Sequence, residues 1–119
     1  MVHLLVPHSM PQAKRQSVSE GVHQALADTL GVPGNGMFQL ITAYDETNIA
    51  MSPDFLGVPR GPNFVFIQIS VMNARTNEEK RALMRAVRTN LAARAGLGNE
   101  DMMINLAESD AANWFCVVK

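Results

Sequence analysis

Shifted by 65 positions, the chain overlays itself without a gap. Val2 falls on Ile67, Leu4 on Ile69 and Val6 on Val71; further along, Val18 meets Leu83, Val22 meets Val87 and Leu26 meets Leu91. Gly31 lands on Gly96 and Met37 on Met102. The shared pattern alternates with period 2, changes to spacing 4 and then reaches a glycine, which is the order strand, helix, turn. A second strand follows each turn. The chain therefore reads as one β-α-β unit written twice, with repeats over roughly 2–44 and 64–107.

The 119 residues suffice for a single domain, 1–119, with one apolar core. A net charge of −1 gives no reason to expect nucleic acid or an anionic membrane as partner. Five of the ten basic residues lie between Lys80 and Arg94, where a basic helix face reads first as solvated surface. Cys116 is the only cysteine, so no internal disulfide forms and a reducing compartment, the cytoplasm, is expected. The apolar run Leu4-Leu5-Val6 stops at Pro7, too short for a signal core or a membrane span.

Val2–Val6 reads as the first strand. Ser9 is a hydroxyl cap candidate before Pro11, opening a helix that runs to about Leu30 and stops at Gly31. After the turn Pro33-Gly34-Asn35-Gly36, Met37–Tyr44 is the second strand. The stretch 45–63 holds three prolines and two glycines and is expected to be a loop with room for a short hairpin. Phe64–Met72 is the third strand, and Thr76-Asn77-Glu78-Glu79 is a capping box for a helix to about Ala95. Met102–Ala107 is the fourth strand, and 113–118 is a last extended, apolar segment.

The predicted fold class is α+β: a four-stranded mixed sheet with two helices on one face. Two helices leave the other face bare, and it carries Leu5, Phe64 and Phe66 beside His3, Gln68 and Ser70. That mixture predicts burial against another copy, with Trp114–Val118 suited to a neighbour's sheet edge.

A β-α-β doublet starting directly after Met1 resembles the tautomerase superfamily. The likeness runs through Val2-His3-Leu4-Leu5-Val6, Leu30-Gly31-Val32-Pro33, Phe38-Gln39-Leu40-Ile41, Ile67-Gln68-Ile69, Arg75-Thr76, Glu79-Lys80 and Asn113-Trp114-Phe115. The chain length and the Arg-Thr junction are most similar to the branch holding malonate semialdehyde decarboxylase and cis-3-chloroacrylic acid dehalogenase. The resemblance implies a homotrimer, no cofactor, and cofactor-free proton transfer on a small oxo acid by an N-terminal proline. Here Val2 stands at the proline's place, Gly36 replaces the branch's acidic residue, and Asn73 replaces the first of its two arginines.

Valine's α-amine can carry the same proton transfer, with a reference pKa of about 7.7–8.0, provided that Met1 is removed. Val2 is thus the candidate catalytic residue. Arg75, just before a helix N-cap, is a candidate to hold a substrate carboxylate by two hydrogen bonds, against the plainer reading of a surface arginine. His23 borders the apolar face of the first helix and reads first as a structural boundary histidine. The resemblance to the dehalogenase, where a histidine on this helix helps bind the substrate carboxylate, implies a second carboxylate-binding candidate in His23. Arg60, Glu108 and Trp114 are weaker candidates. No metal site is expected, since His3, His8 and His23 lack ligand spacing. The competing functional class is a non-catalytic trimer that kept the fold and an anion-binding pocket; a ferredoxin-like binding domain is a third.

Overall fold

A computed structural model describes residues Met1–Lys119. Its strands are β1 (Val2–Pro7), β2 (Gln39–Tyr44), β3 (Val65–Met72) and β4 (Met102–Ser109), with helices α1 (Gln12–Leu30) and α2 (Asn77–Ala95). The sheet order is β2-β1-β3-β4. β1 runs parallel to β2 and β3 parallel to β4, while β1 and β3 are antiparallel at the centre. The shift of 65 carries Gln12 and Leu30, the ends of α1, onto Asn77 and Ala95, the ends of α2. It also carries the pair Val2–Gln39 onto Ile67–Ile104, which face each other in β3 and β4.

The period-2 pattern explains how the sheet is covered. Val2, Leu4, Val6, Val65, Ile67 and Ile69 point under the helices and are essentially inaccessible. From above, Val18, Val22, Ala25, Leu83, Val87 and Leu91 close the core. The helices cross tightly at Gly21. A Cβ there would lie 3.0 Å from Leu91 Cδ2, and the Gly21 carbonyl accepts a 2.9 Å bond from Asn90 Nδ2. Each helix ends on a glycine with positive φ, Gly31 at 70° and Gly96 at 66°, a conformation that costs other residues a Cβ clash.

α2 begins with the expected capping box: Thr76 accepts from the Glu79 amide and Glu79 accepts from the Thr76 amide. α1 differs from expectation. Its N-cap is Pro11 rather than Ser9, with no side-chain cap, because the Pro11 carbonyl already takes the Lys14 and Arg15 amides at 3.0 Å. The loop at 45–63 forms two short turns, Glu46–Asn48 and Phe55–Gly57, instead of a hairpin. The Asp45 carboxylate caps the first turn at 2.9 Å from the Thr47 amide, and Arg60 staples the second by reaching the Phe55 carbonyl at 2.9 and 3.1 Å.

The face away from the helices is covered within the chain only at one end, where loop residues 48–55 stand beside Leu5, Phe64 and Phe66. Phe64, expected on the bare face, is buried there. His3 and Thr42 are hydrogen-bonded across the face at 2.9 Å, and Gln68 meets Asn105 at 3.4 Å. Between them Leu5, Phe66 and Met103 are only half-buried. After the turn Ala111–Asn113 the last residues are extended but unpaired, with Phe115 94% exposed.

Candidate functional site

Every strand–helix junction at one end of the sheet opens on a single cavity of about 140 Å³. β1 brings Met1 and Val2 to it, α1 brings His23, Leu26 and Leu30, and the segment ahead of β2 brings Met37 and Phe38. β3 adds Ser70 and Met72, and Arg75 reaches in from the start of α2. Ten of the fifteen lining residues are hydrophobic, so a ligand here meets a few polar groups on an apolar wall. The three residues singled out from sequence, Val2, His23 and Arg75, thus lie around one space.

Backbone bonds fix the chain start on both sides. The Met1 carbonyl accepts from the Ser70 amide at 2.8 Å, and the Val2 amide donates to the Phe38 carbonyl at 3.0 Å. Met1 therefore continues β1 by one residue along β3. In this form the free amine belongs to Met1, and Val2 carries an ordinary satisfied amide with its side chain in the core. Burial holds the Met1 amine below its usual pKa, since an ammonium loses hydration there.

Arg75 is held by two acceptors from different elements. Nη1 lies 3.1 Å from Glu79 Oε2, and Nη2 lies 3.5 Å from the Leu30 carbonyl at the end of α1. The Glu79 carboxylate thus divides its work: Oε1 accepts the Thr76 amide to cap α2, while Oε2 steadies the guanidinium. The Thr76 backbone bond first, and then Arg75, keep the Glu79 pKa below the ordinary carboxylate range. A guanidinium has five donors, so most of Arg75's remain available to an anion. His23 is half-buried on the cavity wall.

The other sequence candidates fall elsewhere. Arg60 spends its guanidinium on the carbonyls of Phe55 and Glu100. Glu108 is paired with Lys80 on the flank of α2. Trp114 lines a neighbouring groove of about 460 Å³ with Met1, Met72 and Val118, and its ring N–H donates to Ser109 Oγ at 2.6 Å. Sequence reading did not single out Glu79, Phe38, Met37 or Met72 for the site. Glu79 carried a signal, its position four residues after Arg75; Met37, Phe38 and Met72 looked like ordinary strand residues.

Residues 36–115 match the sequence profile of a family described as "Tautomerase enzyme". The chain belongs to the tautomerase superfamily. A probable tautomerase of Bacillus subtilis (strain 168), YusQ, is 29% identical over 99 residues, covering 83% of this chain and 78% of that one. Malonate semialdehyde decarboxylase FG41, solved after inhibition by 3-bromopropiolate, is 26% identical with a TM-score of 0.89, covering 99% of this chain and 89% of that one. A second malonate semialdehyde decarboxylase, 19% identical, has a TM-score of 0.88 over 99% of this chain and 91% of its own. Within the superfamily this tautomerase relative falls in the branch of those decarboxylases. A structure described as a fused 4-OT symmetric trimer has the same fold, with a TM-score of 0.75 at 16% identity, over 92% of this chain and 85% of its own.

Proposed function

We propose that the protein is a cofactor-free tautomerase of a small oxo acid, in which a chain-terminal α-amine moves the proton and Arg75 holds the carboxylate. The observation that supports this most is the shared cavity. It joins the chain start, Arg75 and His23 on a wall that is otherwise largely apolar. A neutral amine takes the proton of an enol hydroxyl, and the resulting ammonium returns it to the neighbouring carbon. An apolar wall favours the neutral amine and strengthens the pull of Arg75 on a carboxylate. In a chain beginning at Val2 the amine sits where the Val2 amide now faces Phe38; with Met1 kept, it lies one residue further out, about 3.8 Å by Cα spacing.

The opposing reading is a non-catalytic binding protein, favoured by the Val2 amide bonded to Phe38 whenever Met1 stays. Intact mass of the purified protein identifies the first residue. Ketonisation of phenylpyruvate enol is then followed for three proteins: a chain beginning at Met1, a chain beginning at Val2, and a Met1-free chain carrying Val2→Pro. Turnover rising in that order supports an amine base. Three equal rates at the background level leave only the binding protein.

We also propose that the protein works as a homotrimer in the cytoplasm. The bare sheet face and the exposed residues Phe115, Val117 and Val118 support a partner copy as their cover, since apolar surface of this extent is rare on a soluble monomer. Small carboxylates, rather than nucleic acid or membrane, are its expected ligands. No helix is long and apolar enough to cross a membrane.

A further inference from the structure

The displacement of 65 carries the candidate site into the second half of the molecule. His23 maps onto Arg88, Met37 onto Met102, Gln39 onto Ile104, and Met1-Val2 onto Phe66-Ile67. At Phe66-Ile67 the chain runs straight through β3, so no amine can stand there and Ile67 is fully buried. The flank beside it stays open. Between α2 and β4 lies a groove of about 430 Å³ whose lining includes Arg88, Met102 and Ile104, counterparts of three residues of the first cavity.

In the first half the same flank is drawn together by a local tie. There Ser19 Oγ donates to Gln39 Oε1 at 2.7 Å and Gln39 Nε2 donates to the Ser19 carbonyl at 3.1 Å, tying α1 to β2. Their counterparts, Met84 and Ile104, cannot form such a tie, and both line the groove as an apolar floor with Met102. Arg81 and Arg85 join Arg88 on its wall, at i, i+4 and i+7 of α2, one stripe of the helix. All three are exposed, and the two ion pairs of the chain, Arg75–Glu79 and Lys80–Glu108, involve none of them. The carboxylates of Glu78, Glu100 and Asp101, near in sequence, pair with none of them. Three adjacent guanidiniums outside any ion pair repel one another, and each carries a planar fork that fits carboxylate oxygens. Asn99 offers an uncharged donor at the rim.

We propose that this groove is a second, non-catalytic site that binds a small dicarboxylate, its two charged ends on the arginines and its carbon chain on the Met84–Met102–Ile104 floor. The occupant differs from a solvated ion atmosphere by needing that floor.

Succinate binding is measured by calorimetry on the full-length Arg75→Ala protein, which removes the cation of the first cavity, at constant ionic strength. Saturable binding is expected there, weakened at least tenfold by Arg85→Gln/Arg88→Gln, with inorganic phosphate and acetate binding several-fold more weakly than succinate. The three arginines are exposed, and a thermal melt of the double variant matching its parent shows that the fold is intact. No saturable succinate binding in the Arg75→Ala protein overturns the proposal. So does undiminished binding after the arginine substitutions, or equal affinity for phosphate, which would indicate charge alone. Because Arg75 is absent throughout, failure here leaves the tautomerase reading untouched, and inactivity of the first cavity leaves this one standing.

Discussion

Arg75 shows how one side chain can be both anchored and available. Its bonds to Glu79 and Leu30 fix where the guanidinium lies on the cavity wall and leave other donors unused within the chain. Arg75→Ala should therefore raise KM for an oxo acid about thirtyfold, the worth of roughly 2 kcal/mol in charge-assisted hydrogen bonds, with a smaller change in kcat. Steady-state kinetics on parent and variant checks it. That Arg75 belonged beside the chain start was legible only through its place before an N-cap and the family resemblance. Of its partners only Glu79, one helical turn on, left a trace in the sequence; Leu30 lies 45 positions away and meets Arg75 only when α1 and α2 pack.

The helices test two different forces. At Gly21 α1 lies close against α2, and Leu91 below it is fully buried with little room to step aside. Gly21→Val should cost about 2 kcal/mol, seen as a lower midpoint in denaturant unfolding, despite the better intrinsic helix propensity of valine. Glu79 tests charge. Its folded pKa lies below the unfolded value, so its stabilising effect is complete above the ordinary glutamate pKa, near about 4.3, and is lost as pH falls through the lower folded value. Melting curves from about pH 6 to about pH 3 should fall for the parent and be flatter for Glu79→Gln, which keeps an acceptor for the cap. The element pattern itself was largely readable, since core-facing residues at period 2 and spacing 4 must be apolar whatever surrounds them. The stretch 45–63 is a loop as expected, but the short hairpin it had room for is absent, because Pro53, Pro59 and Pro62 remove ladder donors while Asp45 and Arg60 tie the segment to itself.

At the scale of the molecule, the bare sheet face is the part that the isolated chain leaves unfinished. Phe66 lies half-buried at its centre, where a carboxylate would stand between apolar surfaces in any assembly. Phe66→Glu should convert the proposed trimer into monomers of unchanged helix content, read by analytical ultracentrifugation and circular dichroism. A parent that already sediments as a monomer at micromolar concentration would remove the assembly from the account. The sequence pattern pointed to this face because Leu5 and Phe66 alternate with His3, Gln68 and Ser70, a composition neither wet nor dry.

Met1 and Val118 line the same groove, so the beginning and end of the polypeptide are neighbours. A short linker could close the chain into a ring there, and the ring could be reopened ahead of Ile67, the counterpart of Val2. Opening there divides β3, so Val65 and Phe66 would have to rejoin the sheet as a separate end, whereas a cut in the loop 45–63 leaves all four strands whole. Duplication has thus left two halves that could trade places in chain order, with the point of opening deciding which one comes first.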